Sequence, residues 1–331
     1  MIRLLYIVLL LVVAPVASLA SEDDLFQSYT HNDRPYLAYF PEGEARGLVF
    51  AFHGRGGSQR YVINPGTILI SETLAKAGYA IVSPQSTLRG RDGEMGAGWD
   101  TLQSDVKKNP DLQRMYALYD DLVERDLVSV ETPVFTMGMS NGGGMSVFFG
   151  IAAAHRGIPV AAIANYMGSL PASGQDFIND GGPIPPMFTV IAENDGLVSG
   201  DNQLAALEFV EGRGVKVETY IGRERPVTVE GLIGAGATVE GAISLTKTLL
   251  KADMIDERGT RLYKPGEVIG REDGPTLRGV GRKAKIDRAT NLAWTKLWAM
   301  HYMRDDYLPQ QLAFFGEARA DFLSQKETST K

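Results

Sequence analysis

A serine lies where a strand-type apolar run ends and a helix-type stretch begins. The motif GMSNG has Ser140 at its centre, between an apolar run at residues 133–138 and a helix-type stretch at residues 143–154. A sharp strand-to-helix turn lifts a serine hydroxyl above the sheet edge, and Gly138 and Gly142 let the strand and helix approach closely. The helix N-terminus also favours negative charge that develops on a substrate. The pattern predicts a nucleophile; the alternative is a glycine-rich turn packed for structural reasons alone.

A glycine-rich loop follows an earlier apolar run. It reads HGRGG from His53 onward. Such a loop can direct backbone N–H groups at the carbonyl oxygen of a substrate under attack. We assign the oxyanion hole to the backbone N–H groups of Arg55 and Asn141. Gly54 is expected to shape the loop, and the ring of His53 is expected to pack beneath it as a structural residue, because His53 lies on the oxyanion side of the site.

These two motifs together resemble the polyhydroxybutyrate depolymerase-like and feruloyl-esterase-like branch of the α/β-hydrolases. The resemblance rests on the runs VFAFHGRGGS at residues 49–58 and GMSNGG at residues 138–143, and it covers roughly residues 47–221. It implies a carboxylic ester hydrolase with a Ser-His-Asp triad in the chain order Ser, Asp, His. It does not specify the substrate, because esterases, lipases and peptidases share this fold and motif.

An acidic residue follows a later strand-type run, at residues 187–192. The carboxylate of the triad belongs at the C-terminal end of such a strand, and the family pattern there ends in Asp-x-x-Val, as Asp195 and Val198 do. The carboxylate is needed to orient the base and to stabilise the imidazolium. We assign Asp195. Glu193 and Asp201 are the alternatives, and an ordinary Asn-Asp-Gly turn is the structural interpretation.

The position of the base departs from the family pattern. The loop after the strand-type run at residues 215–221 contains no histidine, and the chain has only His31, His53, His155 and His301. Histidine is the side chain that takes a serine proton near neutral pH and returns it to the leaving group. His301 stands eleven residues before a closing helix expected at residues 312–323, which matches the family once an insertion is discounted. His301 is therefore predicted as the base; the alternative is a histidine that merely decorates an apolar segment.

Strand-type runs alternate with helix-type stretches from Gly47 onward, which is typical of a parallel sheet covered by helices. The expected fold class is α/β, namely the α/β-hydrolase fold: a mostly parallel central sheet flanked by helices, with an insertion before the C-terminal helix. Strands are predicted at residues 47–52, 79–84, 133–138, 160–164, 187–192 and 215–221, and helices at 71–77, 112–124, 143–154, 203–210 and 312–323.

Residues 223–290 interrupt this alternation. We expect a hydrolase core over residues 21–222, an insertion over 223–290, and a C-terminal segment over 291–331 that completes the core. The insertion is rich in glycine and charge, with one clear helix pattern at residues 241–252. It is expected to form a lid or elaboration on the substrate side, because it enters after the last core strand, whose C-terminal end faces the site.

The first twenty residues predict a signal peptide. A positive start (MIR) precedes an apolar run from Leu4 to Val13, then Pro15, with Ser18 and Ala20 as small residues before a cleavage point. The apolar run is too short for a stable anchor, so the mature protein is expected to be secreted or periplasmic, with no stable membrane anchor. An uncleaved N-terminal anchor is the alternative.

Composition narrows the classes of function. The 331-residue chain has no cysteine, which excludes disulfides, thiolate metal sites and a cysteine nucleophile. Its formal net charge of −7 argues against nucleic acid and anionic membranes as partners. We expect no cofactor and no metal, and a small-molecule or oligomeric ester as the substrate. A peptidase or amidase with the same triad, and a non-catalytic binding protein that has lost its base, are the alternatives.

Overall fold

Eight strands form one sheet in the described parts of the chain, which are residues 25–88, 98–262 and 277–329 of a computed structural model. The strands are β1 (Gln27–His31), β2 (Arg34–Tyr39), β3 (Leu48–Phe52), β4 (Ala80–Pro84), β5 (Val134–Met139), β6 (Val160–Tyr166), β7 (Met187–Ala192) and β8 (Val217–Gly222). Their order across the sheet is β1-β2-β4-β3-β5-β6-β7-β8. The β1–β2 and β2–β4 pairs are antiparallel, and the other pairs are parallel.

The α-helices of the described residues either cover a face of this sheet or belong to residues 229–297. They are α1 (Ile68–Lys76), α2 (Pro110–Glu124), α3 (Asn141–His155), α4 (Ala172–Asn179), α5 (Gly200–Glu211), α6 (Val229–Gly234), α7 (Val239–Lys251), α8 (Leu277–Ala284), α9 (Arg288–Leu297) and α10 (Leu308–Ser329). Side chains alternate between the faces of a strand. Accordingly, Val49 and Ala51 of β3 pack with α1 and α10, whereas Phe50 and Phe52 pack with α2 and α3. Burial on both faces explains why this strand reads as a continuous apolar run.

The strand order and the antiparallel β2 are those of the α/β-hydrolase fold, so the expected fold class is confirmed. The six strands predicted from sequence correspond to β3 through β8. The hairpin of β1 and β2 was not expected. Its two-residue turn is formed by Asn32 and Asp33, both with positive φ (49° and 57°). Asn and Asp tolerate that conformation in tight hairpins, so the Asn-Asp pair was the available signal.

The C-terminal helix begins earlier and ends later than its pattern predicts. Helix α10 spans Leu308–Ser329 instead of residues 312–323, and α1 begins at Ile68 instead of Ser71. Pro309 lies in the first turn of α10, where its missing N–H has no intrahelical partner to lose. A proline and two glutamines in that turn hide the apolar periodicity, which is why the sequence pattern misses it.

The segment 223–290 is more helical than its single predicted helix. Helices α6, α7 and α8 and the start of α9 lie in its described part. They enclose a separate apolar cluster, the insertion core, which consists of Val227, Leu232, Ala242, Leu245, Leu249, Met254, Ile255, Val280, Ala284, Ala293, Trp294, Leu297 and Trp298. Short glycine-containing helices have weak intrinsic propensity, so this shared core stabilises them. The expected boundary at residue 290 falls inside α9, whose apolar side chains belong to the insertion core.

The predicted signal peptide, residues 1–20, lies outside the described residues. None of the helices in the described ranges is long and apolar enough to cross a membrane.

Candidate active site

Ser140 occupies a strained turn between β5 and α3. Its φ of 61° and ψ of −126° are unfavourable for a residue with a side chain. The Ser140 N–H donates to the carbonyl oxygen of Tyr166 on β6 at 2.9 Å, which holds the turn against the sheet. Half-buried Ser140 therefore lies at the C-terminal edge of the sheet, in the conformation that a nucleophile elbow requires.

Gly138 and Gly142 make this turn possible. A Cβ at Gly138 would collide with the carbonyl of Gly142, and a Cβ at Gly142 would collide with the carbonyls of Phe52 and His53. The ends of β3 and β5 and the start of α3 thus meet in backbone contact. This close approach places Ser140 directly beside the loop that follows β3.

That loop faces the nucleophile through Gly54. A Cβ at Gly54 would lie 3.6 Å from Ser140 Cβ and 3.3 Å from the carbonyl oxygen of Met139. A turn closed by the Gly57 N–H, which donates to Gly54 O at 3.0 Å, fixes the loop. Within the described residues, the backbone N–H groups of Arg55 and Asn141 donate no hydrogen bond to the protein. Two donors can therefore serve a substrate oxygen at this point.

Trp99 joins the loop at residues 53–57 to the turn at Ser140, a contact that the sequence did not reveal. Its N–H donates to Asn141 Oδ1 at 2.6 Å, and Asn141 Nδ2 donates back to Trp99 O at 3.2 Å. The indole Nε1–H donates to the carbonyl of His53 at 2.8 Å. The side chain of Asn141 is thus bonded to Trp99, while its backbone N–H has no acceptor among the described residues. Residues 89–97, just before this tryptophan, lie outside the described residues.

His53 uses both ring nitrogens within the protein. Nδ1 lies 2.8 Å from the carbonyl oxygen of Gly54, and Nε2 accepts the Ser86 N–H at 3.1 Å. Since the carbonyl only accepts and the backbone N–H only donates, His53 is the neutral tautomer with its proton on Nδ1. Burial lowers its pKa from 6.5 to about 4. His53 therefore has no nitrogen left to take a proton from Ser140.

His301 and Asp195 form a hydrogen-bonded pair 106 residues apart in sequence. His301 Nδ1 lies 2.7 Å from Asp195 Oδ2, and the two side chains are only 11% and 1% exposed. Asp195 Oδ1 accepts the N–H groups of Leu197 and Val198 at 2.8 and 2.9 Å. With Nδ1–H donated to the carboxylate, His301 Nε2 is left as an acceptor. That Nε2 is buried and has no hydrogen-bond partner among the described residues.

The other histidines lie away from this pair. His155 ends α3, whose 15 residues place it about 20 Å from the Ser140 end. His31 lies on the edge strand β1, and its Nδ1 is 3.6 Å from Asp121 Oδ2. Neither alternative acid is hydrogen-bonded to His301. Glu193 is paired with Arg223, and Asp201 is an exposed residue in the first turn of α5.

One cavity is lined by residues that are adjacent in sequence to Ser140 and to His301. Its volume is about 210 Å³, and its walls include Met139, which precedes Ser140, and Tyr302, which follows His301. The loop at residues 53–57 forms another wall, and the buried side chains of Tyr61 and Met303 also line it. Arg55 and the sequence neighbours of Ser140 and His301 therefore border this cavity, whereas Ser140, Asn141 and His301 themselves are not among its walls.

Comparisons with known proteins give structural similarity only. No protein-family model and no curated protein matches the sequence. The chain is similar to FphF, a fluorophosphonate-binding serine hydrolase of Staphylococcus aureus, with 11% identity and a TM-score of 0.46 over 59% of this chain and 88% of that one. It is also similar to an acetyl xylan esterase from Aspergillus awamori, with 15% identity and a TM-score of 0.45 over 56% and 79%. Values this low say nothing about the substrate.

Proposed function

We propose that this chain is an exported serine hydrolase that cleaves carboxylic esters through an acyl-enzyme. Ser140 is the nucleophile, His301 the base and Asp195 the acid that orients it, and the backbone N–H groups of Arg55 and Asn141 form the oxyanion hole. The observation that carries the proposal is the buried pair of Asp195 and His301, 2.7 Å apart, whose Nε2 has no hydrogen-bond partner among the described residues, Ser140 included.

In this mechanism, Ser140 Oγ attacks the ester carbonyl while His301 Nε2 takes the hydroxyl proton. The carbonyl oxygen becomes an oxyanion that accepts from the two backbone N–H groups, whose positions are fixed before the reaction. The imidazolium is stabilised by Asp195 and passes its proton to the leaving alcohol. Water, activated by His301 in turn, then hydrolyses the acyl-enzyme and restores the serine.

The same contacts bear on the alternative functions. A binding protein without a base is disfavoured, because a histidine is bonded to the candidate acid and its other nitrogen is unoccupied. A peptidase or amidase uses the same triad, so only the resemblance of the HGRGG and GMSNGG motifs to depolymerase-like and feruloyl-esterase-like enzymes favours esters. Export is proposed from residues 1–20 alone.

The cavity lined by Met139 and Tyr302 suggests the size of the acyl group. It holds about 210 Å³, and its described walls contain thioethers, tyrosine rings, glycine backbone and the uncharged polar side chains of Asn64 and Thr67, with Arg55 as the only ionised side chain. Mostly uncharged walls of this kind favour an uncharged substituent. We propose that short, uncharged acyl groups are preferred, since longer chains would leave the cavity.

We expect p-nitrophenyl acetate and butyrate to be cleaved with higher kcat/KM than the octanoate, and aminoacyl p-nitroanilides to be poor substrates. Gly66→Ala should sharpen the preference for acetate, because its Cβ would lie 2.8 Å from the ring of Tyr302 and narrow the cavity. Gly316→Ala is the matched control, since its Cβ would meet nothing within 4 Å. Faster cleavage of anilides than esters would favour the peptidase alternative.

Asp195→Asn is expected to preserve the fold and lower kcat by about 10⁴-fold, because an amide at this position no longer favours the tautomer with Nδ1 protonated. Asp201→Asn is the control and should retain full turnover. Steady-state kinetics with p-nitrophenyl butyrate measures both. If Asp201→Asn lost activity while Asp195→Asn kept it, the acid would be misassigned.

A further inference from the structure

The residue before the candidate acid binds the chain that carries the candidate base. The N–H of Asn194 donates to the carbonyl oxygen of Ala299 at 2.9 Å, and its Nδ2 donates to that of Trp298 at 3.0 Å. Asn194 precedes Asp195, and Ala299 lies two residues before His301. These two bonds therefore fix the spacing between the strand end that bears the carboxylate and the segment that bears the imidazole.

The segment needs such an anchor because its backbone is strained. Ala299 has a φ of 46°, in the left-handed region that costs an alanine about 1 kcal/mol or more. This residue turns the chain out of α9 toward His301. Beyond His301, the ion pair between Lys296 and Asp305, at 2.7 Å, closes the same loop. The loop is thus held at its base by that pair and against β7 by Asn194.

Asn194 is itself held by a charged group of the inserted segment. Arg261 Nη2 donates to Asn194 Oδ1 at 3.1 Å and to Glu224 Oε2 at 2.7 Å, and Glu224 Oε2 also accepts from Asn194 Nδ2 at 2.9 Å. The side chain of Arg261 is 8% exposed, and its guanidinium lies 5.5 Å from the ring centroid of Trp298. Both polar atoms of the Asn194 side chain therefore have hydrogen-bond partners that fix its orientation.

Arg261 is in turn rigidly supported by the insertion core. It pairs with Ile255 in a short antiparallel bridge, and Ile255 belongs to that core. The turn before it is docked on Val227, whose N–H donates to Gly259 O at 2.8 Å. Both bonds come from Nη2, and the planar guanidinium that carries it lies against the ring of Trp298, a contact that an ammonium group makes less well.

We infer that Arg261 is a positioning residue for the triad, acting through Asn194 to set the distance and direction of His301 relative to Asp195. This inference rests on the proposed function, and it gives the segment 223–290 a role as the scaffold of the base. This role explains how His301 lies within hydrogen-bond distance of Asp195, although the two residues are 106 positions apart in sequence.

The test replaces Arg261 with methionine, which keeps an unbranched apolar stem and removes both bonds. We expect kcat for p-nitrophenyl butyrate to fall about 10- to 100-fold with KM nearly unchanged, because a misplacement of the order of 1 Å has that cost. Arg261→Lys should recover part of the loss by pairing with Glu224. Arg223→Met is the matched control, since Arg223 forms a similar ion pair with Glu193 but is 67% exposed.

A spectroscopic readout separates this inference from the proposed function. The proton between His301 Nδ1 and Asp195 Oδ2 should give a strongly downfield NMR resonance, assigned by its loss in His301→Gln. Arg261→Met should shift or broaden it, and Arg223→Met should not. An unchanged resonance and unchanged kcat in a folded Arg261→Met would overturn the inference.

Should Arg261→Met fail to fold, Glu224→Gln, which keeps an acceptor but removes the charge, must show a smaller change of the same kind. An inactive wild-type protein with the resonance present would instead refute only the ester-hydrolase proposal.

Discussion

Ser140→Ala is expected to abolish ester hydrolysis and labelling by a fluorophosphonate probe. The substitution removes the only atom that can form the acyl-enzyme at the turn between β5 and α3, and it keeps the backbone that Gly138 and Gly142 allow. In a serine protease, loss of the nucleophile costs about 10⁶ in kcat, because nucleophile and base act as a unit. Gel-based labelling of the wild-type protein should approach one probe per chain, and labelling of the variant should be absent.

Ser199→Ala is the matched control for this experiment. Ser199 is an exposed serine four residues from Asp195, and its hydroxyl caps α5 by accepting the Asn202 N–H at 3.3 Å. Loss of a cap costs about 1 kcal/mol of stability, so the control should be slightly less stable but fully reactive. Probe labelling that survives Ser140→Ala would assign the nucleophile to another residue.

His301→Gln is expected to reduce turnover by a similar factor, about 10⁶. The variant then has no side chain beside Asp195 that can accept the serine proton. Glutamine is close to histidine in size, so the buried site should remain filled. The amide can still donate to Asp195, but its nitrogen is no base. Measurements of kcat with p-nitrophenyl butyrate, and of thermal unfolding to verify the fold, decide the outcome.

Two other histidines provide the controls. His53→Gln removes a ring that bonds Gly54 and Ser86, and His155→Gln alters the end of α3, where the ring packs on Phe177. Both changes are expected to lower stability while leaving a catalytic base in place. Unchanged turnover in His301→Gln would assign the catalytic base to another residue, inside or outside the described residues.

Local sequence patterns predict the half of the site that is formed by short-range structure. The turn at Ser140 and the loop at residues 53–57 each follow a buried strand, so type and spacing are enough to find them. Asp195 is found because strand ends in a parallel sheet meet at one edge. His301 could be reached only by elimination among four histidines and by comparing lengths, since the insertion hides its position.

Long-range contacts account for what the sequence did not predict. The helices of the inserted segment depend on a core that includes Trp294 and Trp298, which lie beyond the expected boundary at residue 290. The link from Arg261 through Asn194 to Ala299 consists of side-chain and backbone bonds between elements far apart in the chain. Propensity and periodicity describe neighbours in sequence, so neither contains a signal for such bonds.

The neutral ring of His53 also links folding to proton uptake. In the unfolded chain its pKa would return from about 4 to its ordinary value of 6.5. Between those two values the unfolded chain binds a proton that the folded protein does not, so the free energy of unfolding falls as the pH falls through this window. Above pH 6.5 neither state binds it, and the full stability is present. Mild acid is therefore expected to lower the free energy of unfolding through His53, which bonds the loop at residues 53–57 and is not a member of the proposed triad.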